Sequence, residues 1–119
     1  MKVLVVDDSM TMRKVVATYL QGMGVSEVDQ AENGAQAVEM AAKTEYACIF
    51  LDWNMPVLLG IDALRAIRAS GNQVPVVMVT TETEKRSVVQ AIKDGASDYL
   101  MKPFQKDAFV ERARRHLKL

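Results

Sequence analysis

A single cysteine among 119 residues leaves no disulfide framework to staple a small secreted fold. Cys48 sits inside an apolar run, where a thiol reads as a small buried hydrophobe and not as a reactive group. Net charge is missing too. Lys plus Arg and Asp plus Glu stand at 15 each, so no whole-molecule field draws the chain onto nucleic acid or an anionic membrane. Aromatic residues make up 6% and do not interleave with the basic cluster of Arg112, Arg114, Arg115, His116 and Lys118, which argues against a nucleic-acid face. His116 is read instead as complementing the C-terminal dipole of the last helix. No apolar stretch reaches membrane-spanning length, and the short Val/Leu run at the N-terminus meets two aspartates instead of a cleavage site. The expectation is a cytoplasmic protein with no membrane insertion.

Half of the residues are hydrophobic, enough for one compact domain with a real core, expected to span residues 1–119. Within it a pattern repeats: a short apolar run stops at polar side chains, and a helical stretch follows. Lys2 to Val6 is β-branched and ends in Asp7 and Asp8; Ser9 is a plausible N-cap for a helix carrying Met12, Val15, Val16, Tyr19, Leu20 and Met23 inward up to Gly24. Val25 to Ala31 is a weaker strand, and Glu32-Asn33-Gly34 turns the chain into an Ala-rich helix from about Ala35 to Lys43. The run Ala47 to Leu51 is too short for a helix and stops at Asp52-Trp53-Asn54-Met55-Pro56, so Asp52 lies at the C-terminal edge of an interior strand. A helix from about Ile61 to Ser70 follows, with Leu64 and Ile67 inward.

Val74 to Thr80 is the clearest buried strand, its Pro75 tolerable near the start. A helix from about Glu84 to Asp94 is read with Val88, Val89 and Ile92 inward, stopping at Gly95; Asp98 to Lys102 is a short strand halted by Pro103; a last helix from about Lys106 buries Phe109, Val110, Ala113 and Leu117. Five strands alternating with five helices imply right-handed βαβ units and a doubly wound α/β fold with helices on both faces of a parallel sheet. In the order 2-1-3-4-5, strands 1 and 3 are neighbours at the switch point, and Asp7, Asp8 and Asp52 share one crevice.

Four of the strands thus end in polar groups on one edge: Asp7 and Asp8, Asp52, Thr80, and Lys102; strand 2 need not contribute. Three carboxylates in a crevice repel one another and call for a counter-charge, and all-oxygen donors select a hard cation such as Mg²⁺. Lys102 adds an ammonium and Thr80 a hydroxyl, groups that stabilise the oxygens of a transferring phosphoryl group. Asp52 is then placed to act as the acceptor nucleophile. Trp53 beside it is expected to be half-buried.

The motifs Asp7-Asp8-Ser9, Asp52-Trp53-Asn54-Met55-Pro56, Val79-Thr80, Gly95-Ala96-Ser97 and Tyr99 with Lys102-Pro103-Phe104 give the whole chain a resemblance to the receiver domains of two-component response regulators. Within them it is most similar to the stand-alone chemotaxis regulators of the CheY type. Their flavodoxin-like (βα)5 fold has the 2-1-3-4-5 order, so that order is taken from the resemblance and is not an independent prediction. The resemblance implies Asp52 as phosphoacceptor, Mg²⁺ held by Asp8, Asp52 and the Asn54 backbone carbonyl with Asp7 acting through a water, and Mn²⁺ able to substitute. It implies Thr80 and Lys102 as partners of the phosphoryl group, and Thr80 and Tyr99 as the switch that remodels the face of helix 4, strand 5 and helix 5. Asn54 and Glu82 would tune hydrolysis, and the bond before Pro103 would be cis. The implied partners are a sensor histidine kinase, a downstream target such as a flagellar motor switch component, and a phosphatase, with the protein itself a monomer.

Two positions depart from the family pattern. Leu59 stands where an Asp is usual, removing about 0.5 to 1 kcal/mol of helix capping. Thr81 replaces a small residue after Thr80 and can crowd the phosphoryl pocket or the partner's approach. The rival readings are a Mg²⁺-dependent aspartyl-phosphate phosphohydrolase, which wants an acid where Asn54 stands, a flavodoxin-like cofactor carrier, whose phosphate Asp7 and Asp8 would repel, and a receiver that binds partners without phosphorylation.

Overall fold

Alternate residues of the central strands go to opposite cores. In the computed structural model, which describes residues 1–81 and 85–118 with the side chain of Lys85 excepted, Leu4, Val6, Ile49, Leu51, Val76 and Met78 belong to one buried cluster. Val3, Val5, Cys48, Phe50, Val77 and Val79 belong to the other. This two-residue period, buried on both sides, is what a strand covered by helices on both faces requires.

The elements are β1 (Lys2–Val6), α1 (Met10–Gly22), β2 (Glu27–Ala31), α2 (Gly34–Lys43), β3 (Cys48–Leu51), α3 (Gly60–Ala69), β4 (Val76–Thr80), α4 (Lys85–Lys93), β5 (Asp98–Met101) and α5 (Lys106–His116). The five strands form one parallel sheet of order β2-β1-β3-β4-β5, the flavodoxin-like arrangement expected. α1 and α5 cover one face through Val16, Leu20, Phe109, Ala113 and Leu117; α2, α3 and α4 cover the other through Ala37, Ala41, Ile61, Leu64, Ile67 and Ala91. Phe109 of α5 packs on Phe50 of β3 with ring centroids 4.9 Å apart, tying the last helix to the central strand. No helix described is long and apolar enough to cross a membrane.

Local chemistry sets the helix starts. Ser9 caps α1 by accepting the Met12 N–H at 3.2 Å, and Asn33 caps α2 by accepting the Gln36 N–H at 2.9 Å, while the Gln36 side chain accepts the Glu32 N–H in return. α3 begins at Leu59 with no side-chain cap, which is where the usual acid is missing. The expectation that Val88, Val89 and Ile92 all point inward is corrected. Ala91 is the fully buried residue of α4, Val88 is half-buried, and Val89 and Ile92 are 44% and 50% exposed. Among the described residues of α4, Ala91 is the one that joins the buried cluster of that face, while Val88 and Ile92 line a groove shared with α5. Val110 likewise is half-buried, because the inward stripe of α5 runs through Phe109, Ala113 and Leu117. The Lys102–Pro103 bond is cis, as the resemblance implies.

Candidate functional site

Strand register brings the acids together. Val6 lies beside Leu51 in neighbouring strands, the Asp52 N–H donates to the Val6 carbonyl at 3.0 Å, and the residues just beyond, Asp7, Asp8 and Asp52, converge at the C-terminal edge of the sheet. One carboxylate oxygen from each lies within 4.8 Å of the others. Asp7 and Asp52 are only 4% and 7% exposed, whereas Asp8 faces solvent. Lys102, just past β5, reaches back across the edge: its Nζ donates to Asp7 Oδ2 at 2.6 Å and lies 3.5 Å from Asp52 Oδ2. The ammonium is thus paired most closely with Asp7, a carboxylate 95 residues distant in sequence.

The two buried carboxylates are also gripped by backbone. Asp7 Oδ1 accepts the Ser9 N–H at 2.9 Å, and Asp52 Oδ1 accepts the Trp53 N–H at 2.8 Å. Burial pushes the Asp52 carboxyl up from 3.8 to about 6; the Lys102 charge works against that rise, the Asp7 charge adds to it, and the hydrogen bonds from Trp53 and Lys102 oppose it. Asp52 is therefore a carboxylate held at some cost, whose ionisation any added cation would favour.

Thr80 closes β4 and is fully buried, and Tyr99 of β5 is half-buried against the cluster under α2, α3 and α4. Alternation along β4 and β5 puts both side chains on that face of the sheet. Asn54 lies exposed in the loop after Asp52, Trp53 is half-buried as expected, and Thr81 is exposed at the rim. Glu82 lies outside the described residues. Cys48 is buried, and burial pushes its thiol up to about 12, in keeping with an inert core position. His116 does more than sit at a helix end: its Nε2 is 3.0 Å from Asp98 Oδ2.

Three features of the site escaped the reading of the sequence. Gly60 closes the β3–α3 loop by donating its N–H to the Trp53 carbonyl at 2.8 Å, and a Cβ there would lie 1.9 Å from the Asp52 carbonyl oxygen. Val57, 78% exposed, adopts φ 71°, a left-handed conformation that β-branched residues rarely enter. Arg13, on the inward side of α1, donates to the Asp7 backbone carbonyl at 2.7 Å. The signal for Arg13 was present: it is three and four residues before the buried Val16 and Ala17, a cation on an otherwise apolar stripe.

The family profile of the response regulator receiver domain matches residues 3–114. Chemotaxis protein CheY1 of Helicobacter pylori strain J99 is 38% identical over 115 residues, covering 94% of this chain and 93% of that one. Chemotaxis protein CheY-3 of Vibrio cholerae is 36% identical over 114 residues, covering 94% and 88%. Among solved structures, the chemotaxis response regulator CheY4 of Vibrio cholerae superposes with a TM-score of 0.90 at 36% identity over 98% of both chains. The receiver domain of the Francisella response regulator 1452 superposes with a TM-score of 0.89 at 30% identity, over 96% of this chain and 93% of that one.

Proposed function

The chain belongs to the response regulator receiver domain family, and on that premise we propose that it is a phosphorylation-dependent switch of a two-component system, of the chemotaxis type, with Asp52 as phosphoacceptor. The observation that carries this reading is the meeting of Asp7, Asp8 and Asp52 within 4.8 Å under the Lys102 ammonium, at the edge where an open parallel sheet binds its ligands.

The donor set fits Mg²⁺, since three carboxylates supply hard oxygen ligands and an excess of negative charge that one lysine does not balance. Asp8, Asp52 and the Asn54 carbonyl would hold the ion, Asp7 would act through a water, and Mn²⁺ can substitute. Bound there, the ion supplies neutralising charge for the oxygens of the transferring phosphoryl group. An Asp52 carboxylate oxygen attacks the phosphorus of a phosphohistidine on a sensor histidine kinase; the N–P bond breaks, and its electron pair stays on the imidazole. The Trp53 N–H fixes the orientation of the Asp52 carboxylate, and Lys102 accompanies the charge that builds on the phosphoryl oxygens.

The Thr80 hydroxyl donates to the phosphoryl group, and its displacement lets Tyr99 turn inward, so that α4, β5 and α5 present a changed face. A downstream protein, of the flagellar motor switch kind, reads that face, and Asn54 and Glu82 govern the access of hydrolytic water, with or without a phosphatase. The catalysis is thus confined to the protein's own modification and its reversal. The receiver acts in the cytoplasm as a monomer, without nucleic acid.

The test is incubation with acetyl phosphate and Mg²⁺, read by intact mass and by Trp53 emission. One phosphoryl group is expected on the parent and none on Asp52→Asn or in chelator. A parent that stays unmodified, or an Asp52→Asn variant labelled equally, would overturn the reading, and steady turnover of the phosphate ester would favour a phosphohydrolase.

A further inference from the structure

All four polar groups of Asp7 are engaged. Its N–H donates to the Ala31 carbonyl at 3.1 Å, its Oδ1 accepts from the Ser9 N–H, its Oδ2 accepts from Lys102, and its carbonyl oxygen accepts from Arg13 Nη1 at 2.7 Å. Arg13 is held from its other side. Its Nε donates to Gln30 Oε1 at 3.1 Å, and Gln30 belongs to β2, the strand that need not have contributed to the site. A guanidinium gripped at two of its nitrogens is a rigid plane, so the position of Nη1 is defined by an edge strand and a helix together.

The Asp7 carbonyl lies in the planar peptide unit that ends at the Cα of Asp8. A hydrogen bond that fixes this carbonyl therefore fixes where the Asp8 side chain leaves the backbone. Resting on the reading of the acidic crevice as a Mg²⁺ site, we infer that Arg13, seated by Gln30, is a positioning residue that sets the β1–α1 turn so that the Asp7 and Asp8 carboxylates converge on Asp52.

Two effects of Arg13 on a cation oppose each other, and variants separate them. Its charge repels a divalent ion, so a purely electrostatic role predicts tighter Mg²⁺ binding in Arg13→Met and no change in Arg13→Lys or Gln30→Ala. Positioning predicts the reverse sign: loss of a group that orients metal ligands weakens the metal about tenfold. Arg13→Met is expected to raise the Mg²⁺ dissociation constant by about that factor, and Arg13→Lys and Gln30→Ala to raise it by a smaller one, since a lysine keeps the charge but cannot span Gln30 and the Asp7 carbonyl in one plane.

The measurement is Mg²⁺ titration by calorimetry on the full chain, with urea unfolding as a control. Gln30 is exposed, so Gln30→Ala carries the test even where an Arg13 variant folds poorly. A second readout needs no metal: amide exchange at Ser9, whose N–H rests on Asp7, is expected to quicken in Arg13→Met and Gln30→Ala. Mg²⁺ binding unchanged or tightened in Arg13→Met and Gln30→Ala, or Ser9 exchange unaltered in both, would overturn the positioning role. A parent that binds no Mg²⁺ would instead overturn the metal-site reading, leaving the Ser9 exchange to decide the positioning of the turn.

Discussion

Asp52 carries a conflict that can be measured without any partner. Its carboxyl sits at about 6 in the folded protein against an ordinary 3.8, so the folded state binds the proton more tightly than the unfolded chain does. The associated stability is fully present below about pH 4 and is lost as the pH rises through 6. In chelator at pH 7.5, Asp52→Asn is therefore expected to be more stable than the parent by about 1–3 kcal/mol in urea unfolding, with the advantage shrinking toward pH 4. Equal stability across that range would mean that Lys102 neutralises the cost of burying the charge. Leu59 offers a second test at this scale. It occupies an N-cap with extended backbone and no side-chain acceptor, so Leu59→Asp is expected to add about 0.5–1 kcal/mol by satisfying an orphan N–H and favouring the helix dipole. Val57→Gly, which relieves the left-handed strain, is expected to gain about 1 kcal/mol.

The start of α3 is bolted to the backbone of Asp52 and Trp53. Because a Cβ on Gly60 would collide with the Asp52 carbonyl, Gly60→Ala must push the helix start and the strand end apart. An overpacking cost of about 1–3 kcal/mol is expected, with a weakened Mg²⁺ response in Trp53 emission. A change in stability without a change in that response would show that the loop and the acids move independently. At the other end of the sheet, α5 is latched to β5 through Asp98, which faces Arg112 at 2.9 Å, His116 at 3.0 Å and Arg115 at 3.5 Å, while Arg112 also donates to the Tyr99 carbonyl at 2.7 Å. Burial works to raise the Asp98 carboxyl, yet the hydrogen bonds from His116 and the Tyr99 N–H and the Arg112 charge hold it below its ordinary value. Its contribution is therefore complete above the ordinary carboxylate range and is lost as the pH falls through the lower folded value. Asp98→Asn is expected to cost about 1–2 kcal/mol at pH 7, the solvent at Arg115 discounting the pair, and the difference should close in acid unfolding.

For the whole molecule, a cation that binds only the folded crevice raises stability by mass action. At 100 times its dissociation constant Mg²⁺ is expected to add about 2.7 kcal/mol, seen as a rise in melting temperature that Asp8→Asn diminishes. No rise in the parent would count against the metal site directly.

The sequence alone was enough to find the strands and the polar residues at their ends, while their order came from the resemblance, and the first has a physical reason. β1, β3 and β4 are buried on both faces, so their apolar runs are unbroken and the polar residue that ends each run marks the edge where Asp7, Asp52 and Thr80 stand. A single composition pattern thus encoded both the core and the edge where the acids meet. Tertiary structure decided whatever depends on which surface a helix meets. In α4 it buried Ala91 and left Val89 and Ile92 exposed, a choice no helical period contains. It alone paired Lys102 with Asp7, put Gly60 against the Asp52 backbone and handed Gln30 of β2 to Arg13. The Lys102 and Gln30 contacts join residues from separate elements, which only strand order and register bring within a few ångströms, and the Gly60 contact depends on how the β3–α3 loop folds back.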